Sequence, residues 1–346
     1  MAQKNTAAWT TEVQANPLQV KESPYPSVGA NELLVKNHAV AINPLEVALQ
    51  DHGQHMFQWI KYPFIYGSDI AGEVVEVGSG VNGFKVGDRI LALADASDPD
   101  CNNAAHAGFQ TYTVVRADLA TSIPSNMAYE KAAVLPLGLA TAASGLFPKD
   151  FLGLQLPTVP AQPSTGKTLI VWGGSTSVGS NAIQLAVSAG YEVFTTCSSK
   201  NFDYVKNLGA SQAFDYNDEN VAEKLIEALK HKDVAGALAI GAGSLDNCSK
   251  ILSKTKGSKF IADVNPRSPP VPEELGVTSK FVWGSDLKKC EVGPAVFGDY
   301  LTKALESGNF VAAPEPDVIG HGLEQLQKGI DTLRNGVSAK KIVITL

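Results

Sequence analysis

Gly173, Gly174 and Gly179 are the residues whose types and spacing most directly imply chemistry. They follow the apolar run Lys167–Trp172 and precede Ala182, Ile183, Leu185, Ala186 and Ala189, which recur at helical spacing and stop at Gly190. A strand, a tight glycine turn and a helix in that order aim backbone N–H groups at a phosphate. Residues 171–180 contain no strict G-x-G-x-x-G. Gly174 to Gly179 fits the glycine frame of a P-loop, but Ser180-Asn181 stands where that loop needs Lys and then Ser or Thr. The ATPase chemistry fails on that pair. A dinucleotide site remains, with an ordinary βα turn that binds nothing as the alternative.

The end of the next strand bears on which dinucleotide. A fold that prefers NAD places Asp or Glu about 20 residues past the glycines, bonded to the ribose 2′-hydroxyl. This chain has Thr196-Cys197-Ser198-Ser199-Lys200, with neither Asp nor Glu between Val193 and Phe202. A carboxylate repels a 2′-phosphate, whereas two hydroxyls and an ammonium receive it. The expected cofactor is therefore NADPH, against a polar loop with an incidental lysine. Tyr216 is a candidate for the adenosine end, or a surface tyrosine.

The scaffold for these residues is bounded by the totals. A length of 346 residues suggests about two domains, and 44% hydrophobic content supports substantial cores. A net charge of −7 without any basic run argues against a nucleic-acid surface. No apolar stretch reaches the roughly 18 residues of a membrane span, and the first residues lack the apolar centre of a signal peptide. Cys101, Cys197, Cys248 and Cys290 are scattered, with no C-x-x-C, and read as reduced thiols. A cytoplasmic protein is expected.

Up to about Ile123 the pattern is β: 32–42, 72–78, 86–93 and 109–115 are strand candidates with glycines between them. Ser125-Asn126 introduces a helix from Tyr129 toward Leu146, with a kink or break at Pro136. Prolines 157, 160 and 163 mark a loop over 147–166. Beyond it, strands at 167–172, 192–196, 213–214, 236–240, 259–262 and 280–283 alternate with helices near 178, 202–208 and 221–229. That alternation implies a parallel sheet covered on both faces. A helix over 323–333 and a strand over 341–346 end the chain, and the last strand is a candidate to rejoin the first domain.

Taken together, Ala71–Gly78, Phe84–Arg89 and the turn 173–179 followed by Ala182–Ala186 resemble the medium-chain dehydrogenase/reductase superfamily. Ile42-Asn43-Pro44, Val171–Ser175, Asn201–Val205 and the Pro-rich insertion before Lys167 resemble its fungal ToxD/CipB-like (LovC-related) enoyl reductase group. The resemblance implies an α/β protein with a GroES-like β-rich catalytic domain, residues 1–128 and 295–346. A Rossmann domain with a doubly wound parallel sheet, residues 129–294, would bind NADPH. Zinc-dependent alcohol dehydrogenases of the superfamily carry Cys after the long N-terminal strand and Gly-His-Glu further on. This chain has Asn43-Pro44-Leu45-Glu46 and Gly67-Ser68-Asp69, and it lacks the four-Cys structural lobe, with only Cys101 nearby. His52 and His55 have no third ligand at informative spacing. No metal is expected.

Without zinc, the implied reaction is metal-free reduction of a C=C bond conjugated to a carbonyl, by hydride transfer from NADPH to the β carbon. Pro44, Leu45, Glu46 and Val47 would lie beside the nicotinamide, and Thr141 is a candidate to bond its carboxamide. Ser175, Thr176, Ser177 and Val178 would contact the pyrophosphate; Ser198, Ser199, Lys200, Asn201 and Tyr216 the 2′-phosphate end. Asp263, Val264, Gly336 and Val337 occupy positions that close over the cofactor in relatives, and Trp283 and Gly284 positions near substrate. Several zinc-free relatives use a tyrosine after Asn-Pro as proton donor, but this chain has none before Tyr62. His52 or water is left as the donor. An enone, enoyl or quinone is the small-molecule partner implied, with a polyketide synthase as a protein partner and no nucleic acid or membrane. Quinone reduction and an NADPH-binding accessory role with little turnover are the competing functions. Monomer and homodimer both stay open.

Overall fold

Residues with buried side chains on both faces place the strand Glu32–Ala41 at the centre of the first unit. The computed structural model describes residues 4–346. The chain divides into two compact units, Met1–Leu137 with Glu315–Leu346, and Gly138–Pro314.

In the first unit β1 (Asn5–Thr10), β2 (Gln19–Ser23) and β4 (Phe64–Ile65) form a three-stranded sheet in the order β2-β1-β4. The larger sheet is built on β3 (Glu32–Ala41). It pairs antiparallel with β5 (Asp69–Val77) and β7 (Tyr112–Arg116), and β5 continues through β6 (Arg89–Leu93) to β8 (Ala120–Ser122). Helix α1 (Pro44–His52) follows β3 at once, and α2 (Tyr129–Ala132) closes this stretch of chain.

Helix α3 (Pro136–Leu146) leads into the second unit. Its sheet comprises β9 (Lys167–Trp172), β10 (Glu192–Cys197), β11 (Gln212–Asp215), β12 (Asp233–Ala239), β13 (Phe260–Asp263) and β14 (Thr278–Phe281). The spatial order is β11-β10-β9-β12-β13-β14, and every pairing is parallel. Counted within the unit this is 3-2-1-4-5-6, the doubly wound order of dinucleotide-binding folds. Helices α4 (Ser177–Ser188), α5 (Phe202–Asn207), α6 (Val221–Ala228) and α7 (Ser244–Lys254) connect the strands. Ile170, Phe194, Leu225, Ile251 and Ile261 share one fully buried cluster of its core. After α8 (Thr302–Glu306) the chain returns to the first unit as β15 (Glu315–His321), α9 (Leu326–Arg334) and β16 (Lys340–Thr345). There β16 pairs with β3, Val343 facing Ala41.

Several details differ from the sequence-based expectations. Pro136 does not kink one helix; it opens a second, as proline's missing N–H permits at a first turn. The units divide at 137 and 314, where residues 128 and 294 were expected. The ring of Tyr129 stacks on His38 and lies under Arg89, which ties α2 to the first unit. At the other boundary Tyr300 donates to Ser188 at 2.7 Å, and Val311 exchanges hydrogen bonds with the Gln184 side chain. These hold 295–314 in the second unit. Helix α1 runs to His52, and a 3-10 turn follows to His55. Strand β15 lacks an alternating pattern, whereas α7, also unassigned from sequence, buries Leu245, Cys248, Ile251 and Leu252 at helical spacing.

The last strand is also fastened by charge. Lys341 Nζ lies 2.8 Å from Asp69 Oδ2, with side-chain exposures of 4% and 0%. The Asn43 amide donates to the same oxygen at 2.9 Å, and the Leu137 N–H donates to Oδ1 at 2.6 Å. One carboxylate thus joins β16, β5, the turn after β3 and the first turn of α3. Removing one partner of such a pair strands a buried charge, at about 3–5 kcal/mol. Lys341→Met should lower unfolding free energy by about that amount in urea titrations, and adding Asp69→Asn should recover part of the loss. A loss below about 1 kcal/mol in the single variant would show that the pair fastens nothing.

Candidate functional site

The carboxyl ends of the parallel strands gather most of the residues singled out above. Gly173 leaves β9 at φ +85, a conformation that favours glycine. Gly174 and Gly179 are required for space. A Cβ on Gly174 would sit 2.1 Å from Thr195 Oγ1, and one on Gly179 would sit 2.3 Å from the Gly173 carbonyl oxygen. The turn therefore lies against β10, and α4 lies against the turn. Thr176 is the N-cap: its hydroxyl accepts from the Gly179 N–H at 3.0 Å and donates to the Gly173 carbonyl at 2.8 Å. That hydroxyl serves the turn itself. The first turn of α4 presents N–H groups that have no acceptor inside the helix, beside the positive end of its dipole.

Ser198 to Asn201 follow β10, and Tyr216 follows β11. The Ser198 and Tyr216 hydroxyls lie 2.8 Å apart, and Lys200 is exposed with no ion pair among the described residues. Sequence alone missed Asp215. Parallel pairing sets it opposite Cys197, and its Oδ2 accepts from the Ser199 N–H at 3.3 Å. Its Oδ1 accepts twice from Asn217, and these hydrogen bonds hold its pKa below the ordinary range.

Asp263 and Val264 end β13. Burial raises the Asp263 pKa against hydrogen bonds from Ser268 and the Asn265 backbone. Trp283 and Gly284 follow β14, and the Gly284 carbonyl accepts from Ser144 on α3. Gly138 of that helix comes so close to α4 that a Cβ would lie 2.4 Å from Ser177 Oγ. Thr141 stands three residues on, on the same face of α3, and is buried.

The remaining candidates lie in the first unit. Pro44 is exposed, Leu45 and Val47 are half-buried, and Glu46 is fully buried. Glu46 turns inward: Oε2 accepts from the Asn43 N–H at 2.7 Å and Oε1 from Ser68 at 2.8 Å. The Asn43 side chain bridges Asp69 and Lys341. Asn43, Glu46, Ser68 and Asp69 are thus linked by hydrogen bonds, and the cation among them is the Lys341 ammonium. His52 ends α1, half-buried, and Gly336-Val337 follow α9 on the surface. The Tyr62 hydroxyl is buried beside Gly53. Asp95, Cys101 and His106 converge as well, although only Cys101 drew notice in the sequence.

Residues 29–125 match the alcohol dehydrogenase GroES-like domain family. The chain is 48% identical to the dehydrogenase pigH of Monascus ruber, over 99% of each chain. It is 39% identical to the trans-enoyl reductase himH of Aspergillus japonicus, over 99% of this chain and 97% of that one. An alcohol dehydrogenase superfamily protein from Novosphingobium aromaticivorans superimposes with a TM-score of 0.77 at 25% identity, covering 99% of both chains. The chain belongs to the medium-chain dehydrogenase/reductase superfamily. Its members are oxidoreductases that use nicotinamide cofactors. No helix among the described residues is long and apolar enough to cross a membrane.

In this superfamily member Glu46 gives a pH signature. Burial, then the nearby Asp69 charge, raises its pKa from 4.5 to about 7, against hydrogen bonds from Ser68 and Asn43 and the attraction of Lys341. The unfolded chain therefore loses this proton first as pH rises. Glu46 makes stability fall between pH 4.5 and about 7, by about 3 kcal/mol, and adds no slope above that range. Glu46→Gln, which mimics the protonated acid, should remove that component from a pH series of urea unfolding curves. An unchanged slope would place the ionisation elsewhere.

Proposed function

We propose that this chain is an NADPH-dependent enoyl reductase that reduces the C=C bond of an α,β-unsaturated carbonyl without a catalytic metal. The observation that carries the reading is the steric build of the 173–179 turn at the carboxyl end of β9. Two of its glycines leave room that any Cβ would fill. A cradle of that kind fits a pyrophosphate at a helix N-terminus. The named activity of himH supports enoyl reduction in particular.

NADPH, when bound, supplies hydride to the β carbon of the substrate, and the resulting enolate takes a proton at the α carbon. Ser175, Ser177 and Val178 at the start of α4 hold the pyrophosphate. Ser198 and Tyr216, whose hydroxyls are already paired, take the 2′-phosphate together with Lys200. The three donors on Asp215 keep its charge engaged beside that loop. Thr141 positions the carboxamide from the face of α3 that meets α4. Asp263, Val264, Gly336 and Val337 close over the cofactor, and Trp283-Gly284 border the substrate. Pro44, Leu45 and Val47 offer apolar surface to the nicotinamide face, while Glu46 supports them from below.

The metal-free reading is supported by Asn43, Glu46 and Ser68, which bond to one another and to the Lys341–Asp69 pair. The Tyr62 hydroxyl is buried beside Gly53, which leaves proton delivery to His52 or water. A cytoplasmic site of action and a polyketide synthase partner are consistent with this chemistry.

Lys200→Ala should weaken NADPH binding about tenfold, the value of one charge-assisted contact at a surface, and leave NADH binding nearly unchanged by fluorescence titration. Equal effects on both would remove Lys200 from the 2′-phosphate site. NADPH absorbance followed with a panel of enones, enals and quinones tests the reaction. Oxidation with enones or enals is expected. Turnover confined to quinones would make the protein a quinone reductase, and binding without turnover of any acceptor would end the enzymatic reading.

A further inference from the structure

Between β6 and β7 the chain forms a loop that brings three different ligand types to one point. One atom each from Asp95, Cys101 and His106 lies within 4.8 Å of the others. His106 Nδ1 is 3.3 Å from Asp95 Oδ1, while its Nε2 faces Glu32 Oε1 at 3.5 Å. Nδ1 is fully buried and makes no hydrogen bond of good geometry, although a carboxylate stands beside it. Tetrahedral bonds of about 2.0–2.1 Å place N and O ligand atoms about 3.3–3.4 Å apart. The observed 3.3 Å matches that edge.

We propose that Asp95, Cys101 and His106 Nδ1 form a binding site for a zinc-class divalent ion, with water at the fourth position. Glu32 completes it, because a carboxylate on the other ring nitrogen fixes the tautomer that leaves Nδ1 to bind metal. Thiolate, imidazole and carboxylate together suit zinc rather than magnesium or calcium. Cys101 must move to close the set, by at most about 1.3 Å, since a Zn–S bond of about 2.3 Å sets the sulfur about 3.5 Å from the other ligand atoms.

The loop is ordered before any ion arrives. The Cys101 and Asn102 N–H groups donate to the Asp98 carbonyl, and Trp59 bonds the Ser97 carbonyl at 2.8 Å. Asn103 caps the turn that ends at His106, and Gln110 takes up the Ala104 and Ala107 carbonyls. Without metal the cluster keeps a proton. Burial opposes the imidazolium, but Asp95 and Cys101 raise its pKa to about 10. Metal binding requires deprotonated ligands, so affinity rises with pH. No step of the proposed reduction involves this ion, so the site does not depend on that reading.

The test uses untagged, metal-stripped full-length protein and one equivalent of Co²⁺ or Zn²⁺. Cobalt should give a thiolate charge-transfer band in the near ultraviolet that saturates at one ion per chain. Zinc should raise the thermal midpoint, more so at pH 8 than at pH 6. Cys101→Ser and His106→Asn should weaken binding at least a hundredfold, while Cys290→Ser, at an exposed thiol, keeps the band. No saturable cobalt band in the wild-type chain, or a band that survives Cys101→Ser, overturns the site. If the loop variants fail to fold, the wild-type stoichiometry and the Cys290→Ser control still decide it.

Discussion

The buried pair between Lys341 and Asp69 is the interaction on which the first unit depends. It joins parts of the chain that are far apart in sequence: the last strand, the start of β5, the turn at Asn43 and the beginning of α3. Burying both charges costs several kcal/mol, which ion pairing and hydrogen bonding must offset. Asp69 meets that condition with donors on both oxygens. The pair therefore contributes less to net stability than to register. A slip of β16 by one residue would turn Lys341 to the opposite face and leave Asp69 unpaired in the core.

The same network sets the surface that follows it. Asn43 bridges the pair with its side chain and receives Glu46 at its backbone, so α1 begins at a fixed place and angle. Pro44 is then exposed and Leu45 and Val47 are half-buried, while Glu46 faces in. The second unit achieves comparable precision with sterics instead of charge. Gly174 and Gly179 have no room for a Cβ, because the Thr195 side chain of β10 fills the one position and the Gly173 backbone the other. One unit positions its residues through a satisfied ion pair, the other through missing side chains.

Much of this was legible in the sequence. The strands at 32–42 and 167–172, the loop over 147–166 and the alternation after it carry their own periodicity, because each strand's neighbours in sequence decide its burial. The turn at 173–179 was legible for a similar reason, since strand, glycines and helix are contiguous. What was hidden depends on pairing between distant segments. Lys341 looks like one more lysine in a terminal strand until β16 is set beside β3. Asp95, Cys101 and His106 have no motif spacing, and only the path of the loop brings them together. The inward turn of Glu46 required Ser68, twenty-two residues away.

Asp215 shows how such a hidden contact alters a sequence argument. The absence of Asp and Glu after β10 favoured a 2′-phosphate, yet register places a carboxylate from β11 against the Ser199 N–H. The site is exposed, so its charges act through a high effective dielectric. On the proposed reading, Lys200 attracts a 2′-phosphate and Asp215 repels it. Charge alone would give little discrimination between NADPH and NADH. Geometry must supply the remainder: Asp215 has its oxygens engaged by Ser199 and Asn217, whereas the Ser198 and Tyr216 hydroxyls can each turn to donate. On the proposed reading, selectivity at this loop rests on the direction of donors more than on the count of charges.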